Sequence, residues 1–209
     1  MLEPQLDCEL CPRLVDFRNN NKIQYPSYHN APVRSFGDLG AEILVVGLAP
    51  GLKGANQTGR PFTGDYAGDL LYPTLIKFGL AEGTFGATVD DGLRLVNCRI
   101  TNAVRCVPPQ NKPTGVEAAA CRPFLIDEIE AMKNLKVVLA LGGLAHAAVL
   151  TTFGMRKVNF KFAHAAQYKL SDKLLLVDSY HCSRYNTNTG RLTSDMFEDV
   201  FRKINPHLA

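Results

Sequence analysis

No stretch of this 209-residue chain stays apolar long enough to cross a bilayer. The longest apolar runs, residues 137–141 and 174–177, fall far short of the ~20 residues a spanning helix needs, so no membrane partner is expected. The opening Met1-Leu-Glu-Pro-Gln has neither a basic start nor an apolar core, so no secretory signal is read there and a cytoplasmic protein is expected. Internal repeats, low-complexity runs and Gly/Ser-rich linkers are also missing, which leaves one domain over residues 1–209 and gives no reason to expect more than a monomer. Nor is there a large excess of either charge. A net charge of +3, with 46% hydrophobic and 21% charged residues, is the balance of a chain that buries a core rather than of a disordered tail.

What the chain does contain is an alternation of short apolar runs and helical patterns. Runs rich in β-branched residues at 43–46, 93–96, 137–141 and 174–177 read as buried parallel strands. Helical patterns cover 66–78, 114–133, 144–151 and 194–204, the second opening with Thr114 as N-cap and Glu117 as its capping-box partner. The class expected is α/β: a three-layer α/β/α sandwich around a central four-stranded parallel sheet, connected right-handedly. In such sheets ligands bind beyond the carboxyl ends of the strands.

The loops after the first, second and fourth strands are also where positive charge gathers. Segment 47–64 holds Lys53 and Arg60, segment 99–116 holds Arg99, Arg105 and Lys112, and segment 180–193 holds Arg184 and Arg191, with Asp65 the lone acid at their edge. Brought together, these loops make an anion-attracting face; left apart, they are ordinary solvated loops.

Six cysteines are unusual for a reducing compartment, where structural disulfides are rare. Cys8-Glu-Leu-Cys11 has the spacing with which one turn of chain grips a metal or cluster, and Cys106 and Cys121 make a second pair flanking a proline-rich loop. Four sulfur ligands suit tetrahedral zinc or a [4Fe-4S] cluster, and the lack of a second Cys-x2-Cys favours iron and sulfur. Cys98, in an apolar stretch, reads as a small core residue, and Cys182 has no paired spacing.

Gly47-Leu-Ala-Pro-Gly51 follows the first strand, but neither a Walker nor a Rossmann phosphate motif can be drawn through it. Its glycines allow backbone amides to approach a ligand closely. In Gly59-Arg-Pro-Phe-Thr-Gly-Asp65, Phe62 is either a stacking platform for a planar base or a loop anchor. Asp65 is equally suited to cap the helix that follows. Asn102 can offer a donor and an acceptor to one edge of a base, or bond its own backbone in a turn. Of the five histidines, His181, directly after a strand, is best placed to donate to a developing anion. His146 lies in an apolar helix and reads as a core residue, while His29, His164 and His207 have no surrounding pattern.

Together, Gly47-Leu-Ala-Pro-Gly51, Gly59-Arg-Pro-Phe-Thr-Gly-Asp65, Thr101-Asn102 followed by Cys106-x-Pro-Pro, and His181-x-Ser183-x-x-Asn186 with Thr189-Gly-Arg-Leu-Thr193 resemble the motifs of the iron-sulfur uracil-DNA glycosylases. Within these, the likeness is to the family 5, or type b, branch, because Leu48 stands where family 4 has a Glu. The resemblance runs from Cys8 to Thr193 through several ordered motifs. It implies a uracil-DNA glycosylase-like fold and a DNA repair enzyme, active at the nucleoid, that flips uracil or other deaminated bases out of DNA and hydrolyses the N-glycosidic bond. It implies a [4Fe-4S] cluster on Cys8, Cys11, Cys106 and Cys121, and a base pocket made by Gly47, Leu48, Ala49 and Phe62. Asn102 would read the Watson-Crick edge, His181 would bond the oxygen that gains charge, and Asp65 would orient water. DNA would be held by Arg60, Ser183, Arg184, Tyr185, Asn186 and Arg191, with Arg184 or Tyr185 filling the vacated stack. Cys182 departs from the family's usual Pro, and losing a fixed φ there is expected to loosen the loop that carries His181. The competing readings are a glycosylase preferring hypoxanthine, xanthine or another damaged base, a non-catalytic lesion-binding module, and, more weakly, an electron-transfer protein.

Overall fold

A computed structural model describes residues 3–208, so Met1, Leu2 and Ala209 of the expected domain lie outside it. In chain order the elements are α1 (Pro12–Gln24), β1 (Ile43–Gly47), α2 (Ala55–Thr58), α3 (Tyr66–Lys77), β2 (Ala81–Glu82), β3 (Arg94–Leu95), β4 (Cys98–Asn102), α4 (Gly115–Ala131), β5 (Val137–Leu141), α5 (Gly143–Thr152), β6 (Gln167–Lys169), β7 (Leu175–Ser179), α6 (Arg184–Asn188) and α7 (Ser194–Ile204). Successive strand residues face opposite sides of the sheet, and this alternation divides the interior into two cores. Ile43, Val45, Ile100, Leu139 and Val177 pack with Leu71, Tyr72 and Leu75 of α3 and Phe197, Val200 and Phe201 of α7. Leu44, Val46, Val138 and Leu176 pack on the other face with Leu125 of α4 and Ala145, Val149 and Leu150 of α5. The result is the expected three-layer sandwich. No helix among the described residues is long and apolar enough to cross a membrane.

The sheet itself departs from expectation in two ways. Its order is β4-β1-β5-β7-β6, so the four parallel strands gain a fifth, antiparallel strand at the β7 edge. The strand expected at 93–96 is not part of this sheet. Residues 94–95 pair instead with β2 in a two-stranded ribbon, and the parallel position beside β1 is taken by β4, Cys-Arg-Ile-Thr-Asn. That segment looks too polar for a buried strand because Arg99 is only 5% exposed. Its charge is compensated from α4: Arg99 Nε donates to Glu128 Oε1 at 2.6 Å, and Arg105 Nη2 to Glu128 Oε2 at 2.5 Å. A buried charge is tolerated when paired, and here the partner lies 29 residues away.

The helices expected at 66–78, 114–133, 144–151 and 194–204 form as α3, α4, α5 and α7, with ends shifted by two residues or fewer. Thr114 and Glu117 make the reciprocal capping box. Helix α1 has no counterpart in the sequence reading, because only Leu14, Arg18 and Asn21 of its thirteen residues are buried and no apolar stripe marks it. Cys98 is buried core, and His146 is held by Asp178 Oδ1 (2.8 Å) and the Phe160 carbonyl (2.9 Å).

Candidate active site

The carboxyl ends of β1, β4 and β7 open on one cavity of about 620 Å³, lined among others by Leu48, Ala49, Phe62, Asp65, Asn102 and His181. Parallel register sets Gly47 directly beside Asn102. A Cβ at Gly47 would lie 2.4 Å from Asn102 Oδ1 and 2.6 Å from Phe62 Cζ, so the absence of a side chain lets amide and ring meet over the strand end. Asn102 is buried, and no hydrogen bond to a described residue engages its side-chain amide. Phe62 is 7% exposed and packs into the first core, so its anchoring role and its place in the cavity wall coexist.

Phe62 also holds a left-handed backbone (φ 52°), a strained state that its surroundings must impose. Gly68 of α3 supplies one constraint, since a Cβ there would come within 2.1 Å of the Phe62 carbonyl oxygen. Arg60 supplies another. Its guanidinium is bidentate on Asp91 (2.9 and 2.7 Å), donates from Nε to Thr63 Oγ1 at 2.8 Å, and lies over the rings of Phe36, Tyr72 and Phe85. The expectation that Arg60 meets DNA is therefore corrected: it is buried and pins the Phe62 loop. Of the seven cations counted in the three loops, Arg60, Arg99 and Arg105 are consumed by internal pairs, and Lys53, Lys112, Arg184 and Arg191 remain exposed.

Asp65 is the N-cap of α3, accepting from the Ala67 amide at 3.2 Å, and it also faces the cavity. Gly51 and Gly54 bring the preceding turn up to its Oδ2. Burial pushes its carboxyl above the usual carboxylate range, against the lowering effect of the Ala67 and Gly68 amides. The His181 ring centroid stands 6.0 Å from that of Phe62. Burial lowers its pKa, so near neutral pH it is an uncharged imidazole.

Two contacts hold the loop that carries His181 where the family's proline is replaced by Cys182. Cys182 is fully buried in the first core, and Asn186 Nδ2 donates to the His181 carbonyl at 2.8 Å. Ser183 caps the short α6, accepting from the Asn186 amide. Arg184 lies 5.3 Å over the Tyr66 ring at the cavity wall, while Tyr185 is 71% exposed. Arg191 lies over Tyr180 at 4.6 Å. Tyr66 and Asn111 also line the cavity; no signal in the sequence marks either, because each is an ordinary residue at an element boundary.

Cys8, Cys11, Cys106 and Cys121 line a separate small pocket between α1 and α4. Arg18 of α1 lines it, 4% exposed, donating from Nη1 to Cys106 Sγ at 3.9 Å and with Nε unpartnered among the described residues. The Arg105 amide donates to Cys121 Sγ at 3.3 Å. Burial pushes the Cys106 thiol up to about 12, so as a free thiol it is neutral and does not compensate the charge of the Arg18 guanidinium beside it. No group of three or more His, Cys, Asp or Glu among the described residues is gathered closely enough to hold a single metal ion.

A parallel sheet whose carboxyl edge gathers a ring, an amide, an imidazole and a carboxylate around one cavity has the layout of a ligand site in this class of fold. The family profile described as the uracil DNA glycosylase superfamily matches residues 34–208, and the chain belongs to that family. It is 46% identical over 198 residues to a type-5 uracil-DNA glycosylase of Thermus thermophilus, covering 92% of this chain and 90% of that one. A type-5 uracil-DNA glycosylase of Pyrobaculum aerophilum is 39% identical over 202 residues, covering 95% and 88%. A type-4 uracil-DNA glycosylase of Sulfurisphaera tokodaii is 30% identical over 210 residues, covering 97% and 80%.

Proposed function

We propose that the protein is a monofunctional DNA glycosylase that excises uracil, and other deaminated bases that fit its pocket, leaving an abasic site. The observation that carries this reading is the convergence of Phe62, Asn102, His181 and Asp65 on a single cavity. The bond to be broken is shielded within a duplex, so the nucleotide must first be extruded, at a cost of a few kcal/mol that is smallest for a mispaired base. Phe62 offers a face for stacking, and the unengaged amide of Asn102 a donor and acceptor for the base edge. Tyr185, exposed on α6, is the side chain free to enter the vacated stack, whereas Arg184 is occupied on Tyr66.

As the N-glycosidic bond breaks, its electrons pass to the base and the sugar carbon becomes oxocarbenium-like. Neutral His181 donates an N–H toward the base oxygen that gains charge, an interaction stronger in the transition state than in the ground state. Asp65 faces the sugar, stabilises its positive charge and orients the water whose oxygen forms the new bond to carbon. The proton of that water ends on the released base. The cavity volume of about 620 Å³ lies within the usual range for small-molecule sites, roughly 300–1,000 Å³, and leaves room for deaminated purines such as hypoxanthine as well as for uracil.

The test is release of free base from a G·U duplex. The protein should yield uracil and an alkali-labile site, whereas tight binding to the lesion with no abasic product is the outcome of a non-catalytic module. His181→Ala should lower the single-turnover rate by ~10² to 10³ while changing DNA affinity much less. Equal losses in both would mean that the imidazole only binds.

Cys8, Cys11, Cys106 and Cys121 are the ligands that would hold a [4Fe-4S] cluster. One feature supports this fit: anionic cluster sulfur would compensate the buried guanidinium of Arg18. The bound cluster would tie α1 to the start of α4 and supply no electrons, because glycoside hydrolysis is not a redox reaction. Purified protein is expected to be brown, with four irons per chain. A colourless protein carrying one zinc would overturn this.

A further inference from the structure

A second groove leaves the base cavity and has no role in the reading above. It runs between α4 and α5, with a volume of about 310 Å³, and Leu48 lines both spaces, so the two adjoin at that residue. Small residues, including Ala103, Ala118 and Ala147, are part of its lining, and Arg122 and Lys157 are its charged groups. None of its lining residues is acidic. Neither Arg122 nor Lys157 pairs with a carboxylate among the described residues, in contrast to Arg60, Arg99 and Arg105.

Lys157 belongs to a wider pattern. From residue 131 to residue 171 the chain has no Asp or Glu but carries Lys133, Lys136, Arg156, Lys157, Lys161 and Lys169. Arg156, Lys157 and Lys161 are exposed together just after α5. Both helices that border the groove begin at the carboxyl edge of the sheet, so the groove starts at the level of the base cavity and descends along the side of the molecule toward this cationic segment.

We infer that the groove between α4 and α5 carries the phosphate backbone of the DNA strand as it leaves the everted nucleotide, with Arg122 and Lys157 each neutralising a phosphate. The proposal rests on the DNA glycosylase reading and extends it. Adjacency to the base cavity at Leu48 supplies the direction. Small lining residues leave room for a backbone, and cations without a carboxylate partner in an acid-free lining match a polyanion. Such contacts are independent of sequence and are detected by salt, because each neutralised phosphate releases counterions.

The experiment measures affinity for a duplex with one G·U pair as a function of salt, for the wild type and for Arg122→Ala/Lys157→Ala. Loss of two phosphate contacts should flatten the plot of log affinity against log salt by about two. Between 50 and 200 mM salt, the wild type should then lose about tenfold more affinity than the double variant. Arg122→Lys/Lys157→Arg should keep the wild-type slope, which separates lost charge from lost fold. Lys133→Ala/Lys169→Ala, from the same acid-free segment but outside the groove, should also keep it. An unchanged slope in the alanine double variant overturns the proposal and leaves the groove to an acidic protein segment. An equal flattening in the Lys133/Lys169 pair overturns it as well, because the effect would then belong to overall charge. Base release by the wild type is scored in the same samples. Its absence would count against the glycosylase reading, whereas normal release with an unaltered slope would count against the groove alone.

Discussion

Asp65→Asn should slow single-turnover release of uracil by ~10² or more while leaving the thermal midpoint close to that of the wild type. The two halves of this expectation come from two jobs held by one side chain. As N-cap of α3, Asp65 accepts a hydrogen bond from the Ala67 amide, and an Asn oxygen can accept the same bond. As the group facing the sugar, it must be negative to stabilise an oxocarbenium and to orient water, and Asn cannot be. Asp65→Ala removes both and should also cost about 1 kcal/mol of stability, the usual worth of a cap. An unchanged single-turnover rate in both variants would remove Asp65 from the chemistry.

The pH profile follows from the same carboxyl. Burial raises its pKa, so it takes up a proton at a higher pH than an exposed aspartate would, and the protonated form is inactive. The wild-type single-turnover rate should therefore rise with pH through a value above the ordinary aspartate range and then level off. This limb should be missing in Asp65→Asn.

Glu128→Ala is expected to have the largest effect on stability. Glu128 is 1% exposed and binds both Arg99 and Arg105, themselves buried. Removing the shared carboxylate strands two guanidinium groups in the interior, and breaking a buried pair in this way costs about 3–5 kcal/mol. Chemical denaturation measures it, and a loss under 1 kcal/mol would mean that water or a rearranged carboxylate takes over. Desolvation pushes the Glu128 carboxyl up, but Arg105, the Ser35 hydroxyl and Arg99 together outweigh it and hold it below the usual glutamate range. Its folded pKa is thus depressed, and the stability it contributes is present above the unfolded value and lost as pH falls through the folded one. The gap between wild type and Glu128→Gln should accordingly narrow in acid. Because Arg99 sits in β4 before Asn102, and Arg105 precedes Cys106, destabilisation here should also disturb the base pocket and the cysteine cavity.

This triad also marks where reading the chain residue by residue reaches its limit. Arg60, Arg99 and Arg105 look identical in sequence to Lys53, Arg184 and Arg191: cations in glycine- or proline-rich loops with no acid nearby. What separates the two groups is Asp91 for Arg60 and Glu128 for the other pair, each tens of residues away. The same distance effect displaced the second parallel strand. Residues 93–96 carry the stronger apolar signal, yet β4 takes the parallel place beside β1 at the sheet edge, where α4 brings a carboxylate to its buried arginine.

What the sequence alone determined is whatever depends on neighbours along the chain. The capping box at Thr114, the apolar runs that fill two faces of a sheet, the paired cysteines and the ordered motifs at Gly47, Phe62, Asn102 and His181 are all of this kind, since their hydrogen bonds and periodicity are local. Tertiary structure decided which charges remain free. It also decided which run enters the sheet, how a bare Gly47 lets Phe62 and Asn102 close over one cavity, and how Asn186 and a buried Cys182 hold the His181 loop without a proline. These outcomes depend on burial, and burial depends on which distant residues the fold brings into contact, so no local pattern encodes them.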